Sequence, residues 1–225
     1  MTRLLVHVEG QTEETFVNKI LCPHLTLCGF QSVSARLLGN ARLRQQRGGI
    51  RDWPTVRKEI VNYLREDAEC FAAIMVDFYG LPSSWPGRQA AQQLAFEAKA
   101  HQVVGEITND IQKELGTSFN PVRFIPYIVM HEFEALLFSD CMTLAKAIGQ
   151  PNLGLKFADV RDYFHSPEHI NDSPATAPSK RILSIFKGYN KPSHGVIAAE
   201  DMGLKTIREQ CSHFDEWLRK LEDLA

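Results

Sequence analysis

The spacing of apolar positions changes period along the chain, and each change predicts an element. Leu4-Leu5-Val6-His7-Val8 is short, β-branched and mostly apolar, the pattern of a buried strand. From 12 to 28 the apolar residues Phe16, Val17, Ile20 and Leu21 share a helical face, with a bend or end near Pro23. A second strand is predicted at 31–38. Pro54 suits the first turn of a helix reaching Glu66, with Val56, Ile60 and Leu64 at helical spacing. Phe71 to Val76 reads as a central strand ending in Asp77-Phe78-Tyr79-Gly80, and the turn-rich tract Leu81 to Arg88 follows it. Residues 89–115 are helical in composition, with a predicted break at Gly105. Val122 to Met130 is a further strand, in which Pro126 predicts an edge position or a bulge. It runs into His131-Glu132-Phe133-Glu134, the head of a short apolar helix.

Strand and helix patterns therefore alternate over 1–140, the signature of an α/β fold with a mainly parallel sheet flanked by helices. Beyond Asp140 the alternation stops. Short helices follow, then an irregular segment from Ser166 to Ser179, a helix starting at Lys180 with Ser179 as a candidate cap, and a last amphipathic helix near 198–223. The domain organisation expected is an α/β core over 1–140 and a helical C-terminal extension over 141–225 packed on the same core.

With 225 residues, 44% of them hydrophobic, the chain can bury a full core without staples. The net charge of −2 argues neither for nor against nucleic acid, but its distribution is informative. From Thr15 to Arg51 there is no acid, while Lys19, Arg36, Arg42, Arg44, Arg47 and Arg51 are positive, a local stretch suited to phosphates. Four of these arginines lie in the Gly39–Arg51 segment, which reads as a long loop. The five cysteines form no C-x-x-C pair, which argues against a disulfide framework or a cysteine-rich zinc site and for a reducing cytoplasm. No run approaches the ~18 apolar residues of a membrane span, and residues 1–20 lack a signal-peptide layout.

Three predicted strands end in acids: Glu9 with Glu13, then Asp77, then Glu132 with Glu134. Gly10 is read as the sharp turn out of the first strand and Thr12 as the N-cap of the helix after it. In neighbouring parallel strands these carboxylates would converge at the carboxyl edge, where α/β sheets place their sites, as hard-oxygen ligands for Mg²⁺ or Mn²⁺. Taken singly, each glutamate is equally a helix-capping acid. HEFEA at 131–135 fails the zinc-protease pattern because Ala135 stands where the second histidine is needed. His165 and His169 flank Pro167 and read as loop residues, and His7 reads as a core histidine. No P-loop and no G-x-S-x-G elbow is present.

VEGQTEETF, VDFYGLP, HEFEALLF, INDSPATAPSKRI and YNKPSHG together resemble an uncharacterised bacterial Toprim-like family, often encoded beside an ATP-binding-cassette-type ATPase in defence-like gene pairs. Over 1–140 the chain is similar to the Toprim fold of topoisomerases, primases and overcoming-lysogenization-defect nucleases. The resemblance implies a Rossmann-like sheet and metal-dependent cleavage of DNA or RNA, with two metals and a metal-activated water. It further implies that Glu9 is a metal ligand or general acid/base, that Glu13 is the second acid of the nuclease type, and that Asp77 is the first acid of an Asp-x-Asp motif. Tyr79 stands at the second acid of that motif, so Glu132 or Glu134 would have to supply the missing carboxylate.

Such cleavage also needs cations for the phosphate. Lys180, Arg181, Lys187, Lys191 and His194 are the candidates, with Lys191 as the substrate lysine and Lys180 as runner-up, although exposed lysine is ordinary. Arg42, Arg44, Arg47 and Arg51 would grip the backbone. The leading expectation is a metal-dependent nuclease working as effector of an ATPase-linked system. Two alternatives stand beside it: an adaptor on the same fold that has lost catalysis and regulates an ATPase, and a small-molecule phosphotransfer enzyme. Self-association stays open.

Overall fold

Among the described residues, four parallel strands, in the order β2-β1-β3-β4, organise the first part of the chain. They are β1 (Arg3–Val8), β2 (Ser32–Leu37), β3 (Cys70–Asp77) and β4 (Phe124–Val129). The computed structural model describes residues 1–38, 50–170 and 176–225. Its chain forms two compact units, Met1–Met130 with Lys220–Ala225, and His131–Arg219.

In the first unit β1 and β3 are the inner strands, and both are buried along nearly their whole length. In β1 this follows from Leu4, Leu5, Val6 and Val8, an apolar run interrupted only by the buried His7 and of the kind that parallel sheets covered on both faces require. Val8 pairs with Leu37 on one side and Met75 on the other, and Asp77 pairs with Val129. β4 is an edge strand, the position that Pro126 predicts for it.

The crossover after β1 is one helical run of three parts: α1 (Gln11–Phe16), a π-helical turn (Val17–Leu21) and α2 (Cys22–Cys28). Pro23 has no N–H for the Lys19 carbonyl, and the widened turn containing Lys19 stands directly before it. α3 (Trp53–Glu66) and α4 (Phe96–Leu115) pack on the sheet, burying Val56, Ile60, Val103, Ile107 and Ile111 against Ile74 and Val76. Each such side chain contributes about 1.5–3 kcal/mol. The Trp53 and Trp85 rings meet at 4.9 Å, tilted by 58°, and their indole N–H groups donate to Asp110 at 2.6 Å and to the Arg51 carbonyl at 3.0 Å. α4 passes through Gly105 without the predicted break, because Val103 and Ile107 on either side of it anchor the helix in the core.

The second unit begins with a 3-10 segment, Phe133–Ser139, whose apolar residues are all buried. It continues through α5 (Cys141–Ala147), α6 (Gly154–Arg161), α7 (Pro178–Ile185) and α8 (Lys191–Gln210). α9 (Ser212–Glu222) starts in this unit and ends in the first. Asp140 caps α5, accepting from Met142 and Thr143 N–H at 3.0 Å each. The buried carboxylate of Glu168 accepts from His213 and Phe214 N–H at 3.0 Å each, at the start of α9, where the helix dipole favours an acid. Two expectations are corrected here. The last helix is a pair, broken at Cys211, with a further kink in α8 at Gly203 (φ 74°). α7 starts at Pro178, one turn-forming position before Ser179, and Ser179 does not cap it.

Candidate functional site

Glu9 leaves β1 one residue beyond the Val8–Met75 pairing, and Asp77 is the last residue of the adjacent strand β3. The two acids therefore stand at the carboxyl ends of neighbouring parallel strands, and both are half-buried. The Glu9 carboxylate folds over the 3-10 turn that follows Asp77. Its Oε2 and Oε1 lie 2.9 and 3.1 Å from the point where a Cβ on Gly80 would stand. Gly10 makes the same kind of room for Glu13, whose Oε2 is 2.9 Å from the corresponding point. Glu13 is only 5% exposed.

Gly10 has φ −137° and ψ 176°, extended backbone open to any residue, so its value lies in the space left for Glu13 and not in a left-handed turn. It also takes the N-cap position expected of Thr12, which is buried inside α1. The reason is geometric: the helix starts at Gln11, which puts Thr12 inside its first turn and not at the position before it.

Tyr79, two residues after Asp77, is 48% exposed. A cation that sequence reasoning missed sits behind this turn. Arg88 is 8% exposed, its guanidinium lies 4.1 Å over the Phe78 ring, and its Nε–H donates to the Phe78 carbonyl at 3.0 Å. Burial pushes its pKa down from the usual arginine value. Lys99 places its ammonium 5.8 Å from the same ring. The available signal was the spacing of Arg88 ten residues after Phe78 across a turn-rich tract, too weak to read alone.

Of the arginines expected to grip a backbone, Arg42, Arg44 and Arg47 lie outside the described residues. Arg51 is half-buried and ion-pairs with Glu59 at 2.9 Å. That contact ties it to α3.

Glu132, Glu134, Lys180 and Lys191 belong to the second unit, where the two carboxylates have partners of their own. Glu132 precedes the 3-10 segment and accepts from the Ser179 N–H at 2.8 Å, at the start of α7. Glu134 has no exposed surface. Its Oε2 lies 2.8 Å from the Lys191 ammonium, and its Oε1 accepts from the Tyr189 hydroxyl at 3.4 Å. Burial pushes the Glu134 carboxyl up to about 7, while Lys191 beside it acts in the opposite direction. Lys191 opens α8, where Asn190 caps the helix by accepting from Ser193 N–H at 3.2 Å. Lys180 is exposed on α7.

No helix among the described residues is long and apolar enough to cross a membrane. A family model described as Domain of unknown function (DUF4276) matches residues 8–222, which takes in every acid and lysine discussed above. No curated protein and no solved structure matches the chain.

Proposed function

The chain belongs to the DUF4276 family, a domain of unknown function, and we propose, from its strand-end acids and not from that membership, a Toprim-like enzyme that hydrolyses phosphodiesters with a divalent metal. The observation that carries this reading is the paired cradle: Gly10 and Gly80 each leave the space of a side chain, and a carboxylate oxygen of Glu13 or Glu9 fills it. Gly80 seats Glu9 on the turn that follows Asp77, and Gly10 seats Glu13 at the start of α1; the three carboxylates do not form a ready-made group of donors within 4.8 Å of one another, so a cation would have to draw them together. Glu9, Glu13 and Asp77 would hold Mg²⁺ or Mn²⁺, which supplies Lewis-acid charge for an in-line displacement at phosphorus.

The chain's own residues orient and neutralise. Arg88 fixes the Phe78 turn on which Asp77 is presented, and Gly80 keeps the Glu9 carboxylate against that turn. Lys191, whose side chain is 37% exposed beside Glu134, is the proposed phosphate contact of the second unit, with Lys180 as the next candidate. DNA or RNA is the proposed substrate class, with the basic stretch that ends at Arg51 as its electrostatic handle. An ATPase partner of the ATP-binding-cassette type and a cytoplasmic place of action remain part of this proposal.

Exposed Tyr79 at the position of a second acid favours a second reading, an adaptor that keeps the fold without the chemistry. Incubation of the native chain with DNA and RNA in Mg²⁺ and Mn²⁺ separates the two. The nuclease reading expects cleavage that Glu9→Gln and Asp77→Asn each abolish at an unchanged melting temperature. Cleavage retained in both variants overturns the assigned site.

A further inference from the structure

A second, chemically different cluster lies in the first unit, on the last turn of α2. His24 and Cys28 are four residues apart on this helix, so they share a face. Glu222, at the end of α9, meets them there. His24 Nε2 is 2.6 Å from Glu222 Oε1, and Cys28 Sγ is 3.9 Å from His24 Nε2. One donor atom from each residue falls within 4.8 Å of the other two.

The local backbone is shaped for this meeting. α2 stops at Gly29, which has φ 134°, a conformation that side-chain-bearing residues rarely adopt. A Cβ at Gly29 would stand 2.9 Å from the carbonyl carbon of Ala225. The bare glycine thus lets the residues after Glu222 close directly on the end of α2, and this sets Glu222 against the His24–Cys28 face.

We propose that His24, Cys28 and Glu222 form a binding site for a transition-metal ion of the zinc type, separate from the Glu9, Glu13 and Asp77 carboxylates. Imidazole nitrogen, thiolate sulfur and carboxylate oxygen are the three donor classes that zinc accepts, and the sulfur disfavours Mg²⁺. Donors on one tetrahedral zinc stand about 3.3–3.8 Å apart, given metal–ligand bonds of about 2.0–2.3 Å. The His24–Glu222 contact must open slightly and Cys28 must swing inward, movements that side-chain rotation supplies on a half-exposed surface. The short His24–Glu222 contact has a proton between nitrogen and oxygen. On binding, the neutral His24 ring carries its proton on Nδ1 and offers Nε2 to the metal, while the thiol proton of Cys28 leaves to solvent. Three protein ligands leave the fourth position open to water or to a donor from a partner.

Cobalt(II), which reports thiolate ligation by a ligand-to-metal charge-transfer band and four-coordinate geometry by intense visible bands, is the probe. It is titrated into the full chain under a phosphine reductant and then displaced with Zn²⁺. The native protein should give the thiolate band. Cys28→Ser should remove it, while Cys22→Ser on the same helix and Glu9→Gln should retain it. His24→Ala and Glu222→Gln should each weaken binding by more than about tenfold, the lower range seen on losing even an outer-shell partner. Absence of the band in the native chain, or its persistence in Cys28→Ser, overturns the proposal. Thermal melting of every variant without metal establishes that each is folded.

Discussion

The ammonium of Lys191 stands 2.8 Å from Oε2 of Glu134, a carboxylate with no exposed surface of its own. A buried acid held by a partly exposed lysine is costly to unpair, because the remaining charge keeps its desolvation penalty. Burial raises the Glu134 carboxyl to about 7, so the folded state holds this proton at pH values where the unfolded chain has released it. Its contribution to stability is full below the ordinary glutamate range and is lost as pH rises through about 7. Chemical denaturation between pH 5 and pH 8 should therefore show the native chain losing stability relative to Glu134→Gln, by an amount on the order of a few kcal/mol. Lys191→Met should steepen this loss, and the double variant should restore much of it.

His7 contributes the opposite slope. It is fully buried in β1, with Nδ1 3.3 Å from the Ala73 carbonyl, and desolvation lowers its pKa to about 4. The unfolded chain binds the proton first as pH falls, so stability is lost between about 6.5 and about 4. His7→Leu should flatten the acid limb of the pH–stability curve, as read by urea midpoints at pH 4.5 and pH 7.

Gly80→Ala should damage the site while sparing the fold. The new Cβ would meet Glu9 Oε2 at 2.9 Å, and the clash is with the end of a flexible side chain, which can move away. A melting temperature within a few degrees of native, with Mn²⁺ affinity reduced at least about tenfold, is the expected pairing. Gly10→Ala should do the same through Glu13.

Gly105→Ala should stabilise. The residue is exposed within the continuous α4, and nothing lies within 4 Å of its would-be Cβ. Removing the entropic penalty of a helical glycine should raise stability by about 0.5–1 kcal/mol in urea denaturation.

The inner strands were legible because β3 is an unbroken apolar run and β1 is one broken only by His7, and the edge position of β4 because Pro126 interrupts it. What escaped depended on partners distant in sequence. Gly105 looked like a helix break since its neighbours' burial against the sheet was invisible. Glu134 looked like one more strand-end acid, and nothing in HEFEALLF shows that Lys191 will reach it. Gly10 reads in the sequence as a sharp turn needing backbone freedom, whereas its backbone is extended and what it supplies is room for Glu13. The His24–Cys28 spacing could be seen on a helix, but Glu222 is brought to it only by the folded chain.

Calorimetric titration of Mn²⁺ into the Cys28→Ser chain, which silences the second cluster, tests the central claim most directly. The account predicts binding that is lost when either Glu9→Gln or Asp77→Asn is added, with both proteins still folded. Binding that is unchanged in both variants would contradict it.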